Sequence, residues 1–154
     1  MNNGAESFVK TIRWIPHRKI DFLYLICYYV KEESADMKEN VLIDKSIYFA
    51  ARIIKLHKYL ITKQKETIIS KQIVRSGTSI GANINEGNYG QSRADFIAKM
   101  HIALKETAET EYWLKLLILS EYISEKEGQS LLCDCLEIKR MLISSINTAK
   151  NNLN

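Results

Sequence analysis

Proline occurs once in this chain of 154 residues and glycine six times. So little of either leaves no room for a turn-dense sandwich or a series of βαβ crossovers, and it suits long uninterrupted helices. Cysteine is scarce too. Cys27, Cys133 and Cys135 make no disulfide framework, so a reducing, cytoplasmic compartment is expected. Long hydrophobic runs are also missing. The longest near the start, Phe22 to Val30, is about half of what a membrane span needs. It lies behind Glu6, Lys10, Arg13 and Arg18, and no small-residue cleavage site follows it, so neither export nor a membrane partner is expected.

What is present describes a globular protein. Hydrophobic residues make up 46% of the chain, which excludes general disorder, and the length is one domain's worth, enough to bury a core. The net charge is only +4, but it is unevenly spread. Residues 1–40 balance, 41–93 hold nine basic side chains against three acidic, and 94–128 hold four against seven. Attraction to a polyanion is one consequence of such a split. Subunits that meet basic side to acidic side are another, and an ordinary solvated helical surface is a third.

Residues 1–40 read as an N-terminal extension. Pro16 fits a first helical position, and His17 to about Glu33 is apolar all round, a pattern open to strand or buried helix that its length tips toward one helix. Residues 41–150 read as the main domain. Ile43, Ile47, Ala50, Ile54 and Ile61, widened by Ala51 and Leu60, predict a helix over 42–62 with that face inward. Ile69, Ile73, Ser76, Ile80 and Ile84 predict a second over 68–87, with Gly87 as its stop. Ser92 with Asp95 resembles a capping box and opens a third over 93–123, carrying Phe96, Ile97, Met100, Leu104, Leu114, Leu117 and Ile118. Gly128 interrupts the pattern, and Leu131, Leu132, Cys135, Ile138, Leu142 and Ile146 mark a fourth over 130–148. Four stripes on short connections bury one another as an all-α, antiparallel up-down four-helix bundle.

Chemistry-bearing patterns are few. His17, His57 and His101 have no companions at metal-ligand spacing. Cys133 and Cys135, two apart on a helix, point in nearly opposite directions and cannot clamp an ion together. No nucleophile elbow or phosphate loop is present. The expectation is therefore a protein that is not an enzyme, with no cofactor and no metal. Gly77 and Gly81 lie one turn apart inside a helix, where each glycine costs ~1 kcal/mol relative to alanine. A close helix–helix approach is what would offset that. Asn83 and Glu111 fall toward the interior, and a buried Glu111 needs a partner, for which Arg75 or Arg52 is the expectation. Arg52, Lys55, Lys58, Lys71 and Arg75 concentrate on the first helical hairpin, with Tyr48 and Tyr59 near. They are candidates for meeting phosphates without reading bases, although a charge run on a helix is more often a solvated face.

The run KQIVRSGTSIGANINEGNYGQSRADFIAKMHIALKETAETEYWLKLL, residues 71–117, resembles the four helix bundle protein family. Its members are also known as proteins encoded in 23S ribosomal RNA intervening sequences, once labelled S23 ribosomal proteins. The resemblance spans roughly residues 42–147 and implies an antiparallel bundle that assembles into a homopentamer. A functional relative, the accessory variability determinant of diversity-generating retroelements, implies RNA or DNA and a reverse transcriptase as partners. The matching positions, Arg75, Ser76, Ser79, Gly81, Asn83, Ile84, Glu86, Gly87, Phe96, Leu104, Glu106, Glu109, Glu111 and Trp113, carry over as fold and assembly positions. Residues 1–40 precede the resemblance, and at +4 this chain is less basic than the accessory determinants. An oligomeric accessory protein that binds nucleic acid, or a structural oligomer without that role, is the functional expectation.

Overall fold

A computed structural model describes residues 40–151, and the helix expected over 17–33 lies outside them. Helix α1 is Val41–Tyr59 and ends in a π-helical turn, Leu60–Gln64; α2 is Ile69–Asn88, α3 is Arg93–Leu119 and α4 is Glu125–Asn151. No strand occurs among the described residues, and none of their helices is long and apolar enough to cross a membrane. The antiparallel order can be read from cross-contacts. Ser76 meets Thr110 while Glu86 meets Lys99, and Lys45 meets Glu137 while Arg52 meets Asp134. Each helix packs on its two neighbours around a square, and the α1–α4 seam is the lightest of the four.

Each helix start has a cap built from local sequence. Asn40 accepts from the Ile43 amide, and Ser92 accepts from the Asp95 amide at 3.1 Å. Ser124 accepts from the Glu127 amide at 3.3 Å, and its hydroxyl donates to the Glu127 carboxylate at 2.6 Å. The α2 start uses an acid just outside the helix. Glu66 is buried and accepts from the amides of Ile68, Ile69 and Ser70 at 2.8, 2.8 and 2.7 Å. The chain enters that cap through Lys65, whose left-handed backbone (φ 57°) closes the π-helical turn with its amide on the Leu60 carbonyl.

The core confirms three of the four apolar stripes and rotates one. In α1 the buried side chains are Leu42, Phe49, Ile53, Leu56 and Leu60, whereas Ile47 and Ile54 are 61% and 52% exposed. The expected face is therefore wrong by about a quarter turn. Two apolar stripes run along α1, and periodicity alone cannot choose between them. The neighbour chooses, because a Cβ on Gly77 would sit 2.8 Å from Ile53 and one on Gly81 would sit 3.2 Å from the Ser46 hydroxyl. The two glycines seat the Ile53 face of α1, which confirms the expected close approach.

Two other corrections concern glycine and α3. Gly128 does not interrupt a helix. It lies in the first turn of α4, where Ile118 occupies the space a side chain would need. Gly87 likewise packs on Met100, and α2 runs one residue past it. In mid-α3 the buried line is Ala103, Thr107 and Thr110, polar or small residues that hydropathy passes over. Their hydroxyls are satisfied locally: Thr107 donates to the Ala103 carbonyl at 2.7 Å and Thr110 to Glu106 at 2.8 Å.

Candidate nucleic-acid interface

The up-down order brings the π-helical turn, the start of α2, the end of α3 and the start of α4 to one end of the bundle. Lys55, Lys58, Lys63, Lys65 and Lys71 stand on that end or the turns leading to it. All are exposed, and among the described residues none forms an ion pair. Lys126 joins them from α4. Sequence grouped Arg52 and Arg75 with these lysines, and the structure separates them. Arg52 reaches Asp134 and the Ser130 hydroxyl, closing α1 on α4. Arg75 meets Glu109 at 3.4 Å, and Glu109 also accepts from the Trp113 indole at 3.1 Å. Of the five cations singled out, Lys55, Lys58 and Lys71 are unpaired among the described residues, Arg52 is engaged at the α1–α4 seam, and Arg75 stays 69% exposed beside Glu109.

The remaining candidates tie helices together. Glu86 pairs with Lys99 at 2.6 Å between α2 and α3, and that hydrogen bond holds the Lys99 ammonium pKa above its ordinary value. Asn83 is half-buried and donates to the Ser79 carbonyl within α2. Trp113 is half-buried with its ring edge-on to Tyr112 at 4.9 Å. Glu111 is paired, but not with either arginine. It bridges Lys115 at 2.5 Å and Lys139 of α4 at 2.8 Å. Those two donors outweigh burial and hold its carboxyl below the usual range. Arg52 and Arg75 face the seams next to their own carboxylates, on other sides of the bundle from Glu111.

Next to Glu111, burial first and the carboxylate second push the Cys135 thiol up to about 12. It stays protonated at neutral pH, donating toward the Thr107 carbonyl at 3.5 Å. His57 places Nδ1 3.0 Å from the Ser70 carbonyl, pinning α1 to the first turn of α2. No cluster of His, Cys, Asp or Glu among the described residues has metal-holding geometry.

Sequence reasoning missed a groove at the α1–α4 seam. Its volume is about 840 Å³, and its walls include Tyr48, Arg52, Lys55 and Tyr59 from α1 and Lys126 and Glu127 from α4. The spacing of Tyr48, Arg52, Lys55 and Tyr59, steps of four, three and four, was the available signal. What hid it was that the opposite wall comes from a helix start more than sixty residues away.

Comparison with known proteins agrees with this architecture. No curated protein matches the chain. A crystal structure of a protein of unknown function from the S23 ribosomal protein family of Bacteroides thetaiotaomicron VPI-5482 is 58% identical, with a TM-score of 0.68. The match covers 69% of this chain and 98% of that one. Residues 38–144 match the family described as 23S rRNA-intervening sequence protein. Its described residues form a bundle of four helices and the family match spans more than half of its length, so the chain belongs to the 23S rRNA-intervening sequence protein family.

Proposed function

We propose that this protein is a non-enzymatic accessory subunit that assembles with copies of itself, five being the expected number, and binds nucleic acid with little sequence selectivity. One observation carries the reading: lysines with no carboxylate partner among the described residues gather at one end of the bundle. Lysine is a compact point charge that meets phosphates and releases counterions without discriminating bases. Repetition around an oligomer turns a weak contact into useful avidity, because each later contact is effectively intramolecular. A protein partner such as a reverse transcriptase would then be delivered to, or held on, the bound RNA or DNA.

The test is fluorescence anisotropy with RNA and DNA from ~50 to ~200 mM salt, over which phosphate-dominated affinity falls steeply. Changing Lys55, Lys58 and Lys71 together to glutamate should weaken every nucleic acid about equally. Arg52 is left intact because its loss would disturb the seam. A purely structural or protein-interaction oligomer is the second reading, favoured by the exposed apolar stripe of Ile47 and Ile54 on α1. Absence of binding at ~50 mM salt by the assembled protein selects it.

A further inference from the structure

We propose that the groove between α1 and the start of α4 is a site for single-stranded nucleic acid, in which Tyr48 and Tyr59 stack on bases while Lys55 and Lys126 hold phosphates between them. The inference rests on the nucleic-acid reading above and gives it a place and a strand preference. Three features lead to it. First, the α1 wall is ordered aromatic, cation, cation, aromatic on one helical face, Tyr48–Arg52–Lys55–Tyr59, about 16 Å from end to end at the rise of an α-helix. Tyr48 is 65% exposed and Tyr59 39%, so both rings have surface open to a planar partner. The Tyr59 hydroxyl accepts from Gln64 at 2.7 Å, which fixes that ring in place.

Second, the charge is set for an anion. Three cations face one carboxylate in the lining. That carboxylate, Glu127, is held by the Ser124 hydroxyl in the α4 cap and by neither lysine. Arg52 is spent on Asp134 and Ser130, which leaves Lys55 and Lys126, one on each wall, as the phosphate contacts. Third, the shape selects the strand. A concavity between two helices, about 840 Å³ in volume, admits an unpaired chain whose bases can splay onto side chains. The base faces of a duplex are stacked on one another and closed to such rings. A free phosphate would use the lysines and leave the tyrosines idle, and alternation of rings and cations is the arrangement that sequence-tolerant single-strand sites use.

The experiment uses the full chain in its assembled state. Short fluorescent oligo-dT and oligo-U strands and a duplex of equal length are titrated from ~50 to ~200 mM salt. The two single strands distinguish DNA from RNA as the source of the shared chemistry. Both single strands should bind more tightly than duplex. Tyr48→Ala with Tyr59→Ala should weaken single strands roughly tenfold or more and leave duplex binding unchanged, while the corresponding pair of Phe replacements retains affinity. Lys55→Gln with Lys126→Gln should reduce the salt slope for single strands by about 1.4, two phosphate contacts' worth. Ultraviolet crosslinking of 4-thiouridine-containing oligo-U to the unaltered protein gives a readout independent of variant folding, and it should label peptides holding Tyr48 and Tyr59. Binding that ignores the tyrosine pair, or crosslinks confined to other peptides, overturns the groove and leaves the surface reading intact. No binding of any strand at ~50 mM salt overturns both.

Discussion

Gly77 and Gly81 share a face of α2, but their surroundings predict opposite outcomes. Alanine at either gains ~1 kcal/mol of helix propensity. At Gly77 the new Cβ meets Ile53 at 2.8 Å, and Ile53 is fully buried and has nowhere to move. Gly77→Ala should therefore be net destabilising, since overpacking costs ~1–3 kcal/mol. At Gly81 the new Cβ would lie 3.2 Å from the Ser46 hydroxyl and 3.6 Å from the Ser46 Cβ and carbonyl oxygen, a milder overlap, so Gly81→Ala should be near neutral or stabilising, while Gly81→Leu should be destabilising. Urea midpoints at unchanged slope decide it. Glu66 is the residue no sequence pattern exposed, because it caps α2 from outside the helix. Burial alone would raise its pKa, but the amides of Ile69, Ser70 and Ile68 outweigh that and leave it lowered. A depressed folded-state pKa gives stability that is full above the ordinary carboxylate range and is lost as pH falls through the folded value. Glu66→Ala should cost ~1–2 kcal/mol at neutral pH and should flatten the acid limb of the stability curve.

Among elements, the helices are held to one another by unequal means, and magnitudes rank them. The α1–α4 seam is clipped by Lys45–Glu137 and Arg52–Asp134, pairs with side-chain exposures of 40% and 44%, and 26% and 31%. Such pairs are worth ~1 kcal/mol or less. Leu142 of α4 is fully buried, and its truncation to alanine should cost ~2–5 kcal/mol. Asp134→Ala should therefore shift the denaturation midpoint far less than Leu142→Ala, although it frees the start of α4, a change that amide exchange in residues 125–130 reports. The α1–α2 connection offers a gain. Lys65 holds φ at 57°, a conformation that costs a non-glycine residue ~1 kcal/mol or more. Lys65→Gly should raise the midpoint modestly. The helix spans were legible because caps and apolar spacing are local. The helical state of Gly128 was not, because its reason is Ile118 on the preceding helix.

For the whole molecule, the second apolar stripe of α1 is the feature one chain leaves unresolved. Ile47 and Ile54 are exposed on α1, and in the assembly proposed above a second copy would cover them. Ile47→Glu with Ile54→Glu should reduce the assembled mass toward the 17.8 kDa chain without lowering the thermal midpoint of the bundle. Light scattering and calorimetry on one sample check both halves. The sequence by itself determined four helices, their approximate ends, their antiparallel order and the glycines that permit close approach. All of these follow from interactions within a turn or two of chain and from the shortness of the connections. Tertiary structure alone decided which of two apolar stripes on α1 turns inward, since that depends on which of them fits over Gly77 and Gly81. It also decided which cations are free. Charge is a property of residues, but pairing depends on distance: Arg52 finds Asp134 and Arg75 finds Glu109 on other helices, and Lys55, Lys58 and Lys71 pair with no carboxylate among the described residues.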